Sequence, residues 1–173
     1  MAQTVFGAEY AVSVLNRAFN NTSPSNAVFN NQVKTAGDTE ATQAAFAANF
    51  GKSFINTSDA ALATQVLTNL GVLPSDVAEV QALEGALADV FGTVSKEDRG
   101  IVVLQLGTIL SGLETATGEL AVYAPAAVLW NREVERAHVY SVNPQHTTPQ
   151  EGDDAISSTT LTRFTDVLSG SQF

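Results

Sequence analysis

Residues 95–113, SKEDRGIVVLQLGTILSGL, decide the fold class. Ser95 with Asp98 three residues on makes a capping-box-like start, and Glu97 and Asp98 put negative charge where a helix dipole favours it. After Arg99 no charge appears until Glu114, and Ile101, Val102, Val103, Leu104, Leu106, Ile109, Leu110 and Leu113 point all round the helix. A helix apolar on every side has to be surrounded by other elements. The stretch therefore predicts the central rod of an all-α bundle, with six to seven short helices around a central apolar helix.

Working outward, helix signals recur at short intervals. Residues 7–19 carry Tyr10, Val14 and Ala18 on one face, and the run NNTSPSN then breaks the helix, with Pro24 placed as a first-turn proline of the next. Val28, Phe29 and Val33 mark a second helix over residues 25–35, stopped at Gly37. Asp38 or Thr39 caps a third, with Ala45, Phe46 and Phe50 as its apolar stripe. Ser58 and Asp59 open a fourth, with Leu62, Val66, Leu67 and Leu70 inward and Gly71 just past its end. Pro74-Ser75-Asp76 opens a fifth, with Val77, Val80, Leu83, Leu87, Val90 and Phe91 on one side. A seventh spans residues 119–140, with Tyr123, Ala127, Trp130, Val134 and Ala137 repeating every three or four residues, and Pro125 either begins its regular part or kinks it. Short connections of this kind suit a compact antiparallel bundle.

Composition changes after Tyr140. SVNPQHTTPQEGDD is polar with two prolines, and the chain ends in the Thr- and Ser-rich AISSTTLTRFTDVLSGSQF. The expected organisation is a bundle domain over residues 1–141, then a polar linker and extended C-terminal arm over 142–173. Leu161, Phe164 and Leu168 are the arm's candidate assembly residues, able to enter a groove of a neighbouring subunit.

The chain has 173 residues, with 18 acids against 8 bases and a net charge of −10. That balance argues against nucleic acid or an anionic membrane as partner, because both need clustered Lys and Arg. The longest apolar run is interrupted by Gln, Gly, Thr and Ser and falls short of the ~18 apolar residues of a membrane span, so no membrane insertion is expected. With no cysteine, disulfides, thiolate metal sites and cysteine nucleophiles are excluded together. The start MAQTVFGAEYAV lacks the basic and apolar regions of a Sec signal peptide, so any export is expected to use an address elsewhere.

Enzyme chemistry has thin support. His138 lies one turn from Glu135, a base with an orienting partner or, as we read it, a surface pair. His146 lies in the polar tail. No G-x-S-x-G, H-E-x-x-H, P-loop or G-x-G-x-x-G pattern occurs, and no catalytic residue is assigned. Calcium is a possible cofactor, since oxygen ligands are loosely specified. The candidate clusters are Glu151, Asp153 and Asp154 in the tail and Asp38 with Glu40 at a helix start. Arg132, Glu133, Glu135 and Arg136 read as i,i+3 surface pairs. Asn20-Asn21-Thr22-Ser23 and Asn56-Thr57-Ser58 contain glycosylation sequons, which carry weight only in a secretory context.

The order of segments adds a resemblance. NTSDAALATQVLTNLGV (residues 56–72) is followed by ALEGALADVFGTV (82–94), RGIVVLQLGTILSGLE (99–114) and VLWNREVERAHVYS (128–141). This series, closed by STTLTRFTDVLSG, resembles the N-terminal helical region of large secreted bacterial surface proteins of the RTX and S-layer type. The family's glycine-aspartate calcium repeats are absent from this chain. The resemblance implies a non-enzymatic structural role in anchoring or assembling a surface layer. It also implies export by a type I system without an N-terminal signal, to the cell surface or the extracellular space. The chain would be an excised N-terminal domain or a small stand-alone relative, and its expected partners are itself or a cell-surface polysaccharide. A surface binding module for polysaccharide or protein is the alternative, with Tyr123, Trp130 and Tyr140 as its candidate ligand-binding residues.

Overall fold

A computed structural model describes residues 7–151 of the chain. Among them are eight α-helices, one 3₁₀ segment and a pair of two-residue strands. The helices are α1 (Gly7–Asn20), α2 (Asn26–Ala36), α3 (Glu40–Lys52), α4 (Asp59–Asn69), α5 (Ala78–Gln81), α6 (Leu83–Phe91), α7 (Arg99–Ser111) and α8 (Ala124–Val142). Strand β1 (Thr22–Ser23) pairs antiparallel with β2 (Gln150–Glu151). The protein is an all-α bundle.

Local chemistry sets most boundaries. The Ser25 side chain accepts from the Val28 N–H as the N-cap of α2, so Pro24 precedes the cap instead of standing in the first turn, and Ser58 caps α4 in the same way through the Ala61 N–H. Thr39 and Thr42 close a reciprocal capping box on α3. Gly71, with φ +80°, follows α4 in the left-handed conformation that ends helices. Pro125 stands in the first turn of α8, so it begins the regular helix rather than kinking it. The predicted fifth helix is divided into α5 and α6 at Ala82, and Val90 on its expected inner side is exposed. Ser95 Oγ accepts from the Asp98 N–H at 3.2 Å, but this bond closes a turn before α7, whose own first turn has no side-chain cap.

Residues 101–113 are expected at the centre, yet α1 occupies it. Every residue from Tyr10 to Phe19 is buried, and α2, α3, α4, α7 and α8 all pack against this helix. Of its buried polar groups Asn16 is satisfied, its Nδ2 donating to the Val12 carbonyl and to Gln32 Oε1 of α2, each at 2.8 Å, whereas Ser13 Oγ has no hydrogen-bond partner among the described residues. Helix α7 instead buries one stripe, Arg99, Gly100, Val103, Gly107, Leu110 and Ser111, while Ile109 is 61% exposed. The physical reason is size. The stripe is rich in small residues, so α7 comes so close to its neighbours that its larger apolar side chains are left on the flanks.

Glycine makes that approach possible at two levels. A Cβ on Gly100 would lie 1.8 Å from the Ala47 carbonyl oxygen, and one on Gly51 would lie 2.0 Å from the Glu97 carbonyl oxygen. Backbone therefore meets backbone where α3 crosses α7. Two turns along α7, a Cβ on Gly107 would meet Val14 Cγ1 at 2.7 Å and Trp130 Cζ2 at 3.3 Å. The Gly107 carbonyl there accepts from Trp130 Nε1 and from Ser111 Oγ, each at 3.0 Å, and Ser111 Oγ in turn accepts from the Tyr10 hydroxyl at 2.6 Å. One carbonyl and the Ser111 hydroxyl on it thus tie α1, α7 and α8 together, and burial raises the pKa of the Tyr10 phenol above its ordinary value.

Candidate functional site

Helix α8 ends at Val142 because Asn143 leaves the helical region and Pro144 cannot extend it. Asn143 Oδ1 then accepts from the Gln145 N–H at 2.9 Å, a side-chain turn that sends the chain back along the helix. The returning segment is fastened at several points. The Asn26 N–H donates to the His146 carbonyl at 2.9 Å, and Ser141 Oγ donates to the Pro24 carbonyl at 2.7 Å. The Asn26 amide also donates to the Ser141 carbonyl at 3.0 Å. The β1–β2 pair, Ser23 opposite Gln150 and Thr22 opposite Glu151, completes the clasp. The first ten residues of the expected linker and arm, 142–151, therefore lie against the bundle.

Between α8 and this segment lies an open groove of about 530 Å³, bordered by Arg132, Glu135, Arg136, Tyr140, Asn143 and His146 among others. Its aromatic edge is held rigidly. Tyr140 and His146 stack with ring centroids 3.8 Å apart and planes 16° from parallel. His146 Nδ1 donates to the Tyr140 carbonyl at 2.6 Å, and the Tyr140 hydroxyl donates to the Thr148 carbonyl at 2.7 Å. The protonated nitrogen of neutral His146 is thereby Nδ1, because a carbonyl can only accept. Arg132 and Arg136, one turn apart on α8, make no ion pair or hydrogen bond among the described residues. In composition the groove is polar and aromatic, with two guanidiniums of unspent hydrogen-bonding capacity.

The expected i,i+3 pairs along α8 do not form. Glu133 turns inward to Arg17 of α1, with Arg17 Nη2 and Glu133 Oε2 3.5 Å apart, and burial pushes the Glu133 carboxyl up against the opposing pull of Arg17. His138 does not pair with Glu135 either. Its Nε2 lies 3.4 Å from Glu9 Oε1 on α1, without hydrogen-bond alignment, and its ring meets Phe29 edge-on at 5.9 Å. In both cases the neighbouring helix stands closer to the side chain than the residue one turn away.

The three proposed ligand-binding aromatics are not brought together. Trp130 is 0% exposed and spends its N–H on Gly107, so it is core and offers no face to a ligand. Tyr123 ends the 3₁₀ segment Gly118–Tyr123 and packs partly buried on the core, while Tyr140 alone lines the groove. Asp38 and Glu40 are exposed at the start of α3, and among the described residues no three His, Asp or Glu side chains gather as a metal site. Asp153, Asp154, Leu161, Phe164 and Leu168 lie outside the described residues, and Glu151 is described only as part of β2. Arg132, Arg136 and His146 are the residues whose sequence reading missed the groove. The i,i+4 arginine spacing was the available signal, masked by the carboxylates interleaved with it.

Among the described residues no helix is long and apolar enough to cross a membrane. Compared with known proteins, the chain matches no family model, no curated protein and no solved structure.

Proposed function

We propose that this chain is a non-enzymatic, secreted structural protein, or a domain of one, that self-assembles or anchors on a bacterial cell surface in the manner of an S-layer or matrix component. The observation that carries the reading is the clasp. Residues 22–26, the end of α8 and residues 143–151 are joined by backbone and side-chain bonds, so the chain passes Glu151 from a fixed point on a rigid helical body. A body with a fixed exit suits a protein that acts through what lies beyond, with Leu161, Phe164 and Leu168 as the residues that dock on a neighbour. The resemblance to RTX and S-layer proteins and the absence of cysteine agree with that role. With a net charge of −10, association is opposed by repulsion, which salt or calcium relieves.

Light scattering and negative-stain microscopy on the full chain, with and without millimolar calcium, test this directly. Ordered sheets, filaments or discrete oligomers are expected, and a variant ending at Glu151 should lose them with its helical circular dichroism intact. Unchanged assembly of the shortened chain would remove the arm from the mechanism. A monomer under every condition would defeat self-assembly. A second reading, a surface binding module, is favoured by the groove at Tyr140 and His146, whose pre-ordered aromatic edge and open guanidiniums are suited to a polar ligand.

A further inference from the structure

We propose that the groove along α8 is a binding site for a carboxylate-bearing oligosaccharide, with Arg132 and Arg136 holding the carboxylate and the Tyr140–His146 stack supporting the sugar ring. The inference rests on the binding-module reading and gives it a ligand class and named residues. Its starting point is an imbalance of charge. Arg132 acts on the Glu114 carboxyl and Arg136 on Glu133 through their charge, yet neither guanidinium closes an ion pair or hydrogen bond among the described residues, so their N–H groups stay open to the groove. The buried arginines of the same protein, Arg17 and Arg99, each face a carboxylate. Glu133 is withdrawn into the interior by Arg17, and Glu135 lies at the groove without reaching either guanidinium. Within the lining itself the two guanidiniums face one carboxylate, Glu135.

Two guanidiniums a turn apart on one helix face present paired N–H groups, the geometry that suits a carboxylate. A bare anion would not explain the rest of the lining. Tyr140 and His146 provide apolar ring surface already fixed in place by three hydrogen bonds (His146 Nδ1 to Tyr140, Tyr140 to Thr148, and Asn26 to the His146 carbonyl). Asn143 and Gln150 add amide donors and acceptors at the rim. A few directed polar groups around an aromatic surface in an open groove match a hydroxyl-rich ring carrying one negative charge. Because little has to be ordered on binding, the entropic cost falls mainly on the arginine side chains.

Isothermal titration of the full chain with tri-galacturonate, maltotriose and inorganic phosphate tests the assignment. Tri-galacturonate should bind, maltotriose and phosphate should bind at least about tenfold more weakly, and added salt should weaken the interaction. The variant Arg132→Gln/Arg136→Gln should lose about tenfold or more in affinity with its melting temperature unchanged, since Arg132 is exposed, Arg136 half-buried and neither is bonded. Tyr140→Phe keeps the stack and should retain binding, whereas His146→Ala should weaken it. No binding of tri-galacturonate, equal binding of maltotriose or phosphate, or full binding by the double arginine variant would each overturn the proposal. Assembly is scored separately by light scattering, so an empty groove leaves the structural reading standing.

Discussion

Arg17 and Arg99 are both 0% exposed, yet the protein treats them in opposite ways. Arg99, at the start of α7, spends four of the five N–H groups of its guanidinium. It donates to the carbonyls of Lys96, Thr57 and Phe54 at 3.1, 2.8 and 2.8 Å, to Asp59 Oδ1 at 3.0 Å, and lies over the Phe91 ring. Arg17, in the last turn of α1, has one long bond to the Asn21 carbonyl at 3.3 Å and a loosely aligned ion pair with Glu133. Its Nε and Nη2 make no hydrogen bond among the described residues. Burial of a charge is therefore not one kind of event. Arg99 is a clasp on the loop between α3 and α4, donating to the Phe54 and Thr57 carbonyls of that loop. Arg17 is a charge held inside the central helix by a single carboxylate whose own ionisation burial disfavours.

The largest effect should come from breaking the approach that brings Arg99 to its loop. Gly100→Ala places a methyl against the Ala47 carbonyl, where no side chain can yield, and should cost about 4 kcal/mol or more or prevent folding. Urea denaturation against the parent measures it, and a loss under about 1 kcal/mol would mean that α3 and α7 separate easily.

The arginines themselves sharpen the contrast. Arg99→Met strands several carbonyls and the Asp59 carboxylate, and should cost roughly 3 kcal/mol. The paired replacement Arg17→Met/Glu133→Leu removes an imperfect buried ion pair and should stay within about 1 kcal/mol of the parent, or exceed it. Equal losses in the two variants would erase the distinction drawn here.

The smallest effect is in pH. The Lys96 ammonium hydrogen-bonded to Asp59 holds its carboxyl below the ordinary value against a desolvation cost, and Arg99 adds to the lowering. A depressed folded pKa gives stability that is present above the unfolded value and is lost as pH falls through the folded one. Asp59→Asn should therefore lie below the parent at neutral pH and converge with it in acid. Glu133 has the opposite sign, because its raised pKa makes the ionised form costly as pH rises through it. Thermal melts across the acid range separate the two, and an Asp59→Asn curve parallel to the parent's would remove Asp59 from the acid limb.

Much of the helical framework was legible because its signals are local. Thr39, Ser58 and Gly71 act on groups within a few residues, and each stands where its chemistry predicts, while Ser25 and not Pro24 opens α2. What escaped the sequence is long-range and made by the backbone. Arg99 finds Thr57 and Phe54 more than forty positions away, and those partners are carbonyls that every residue possesses. The same limit hid the centre of the fold. Hydrophobic content favoured α7, but Gly100 and Gly107 set its distance from its neighbours, and Ser13, Asn16 and Arg17 disguised α1 as a half-exposed helix. At the groove the arginine spacing was visible, while the stacking of His146 on Tyr140 depended on a turn across Pro144 whose direction sequence does not specify.

The β1–β2 clasp has a mechanical consequence. A pull applied to the chain beyond Glu151 does not reach the last turn of α8 first. It loads the pairing of Gln150 and Glu151 with Ser23 and Thr22, and through β1 enters the connection between α1 and α2. Tension is thus delivered beside the central helix, the best-anchored element of the body, while α8 is shielded until the strand pair parts. Two residue pairs of sheet, set among helices, act as a strain relief for the point where the described chain leaves the bundle.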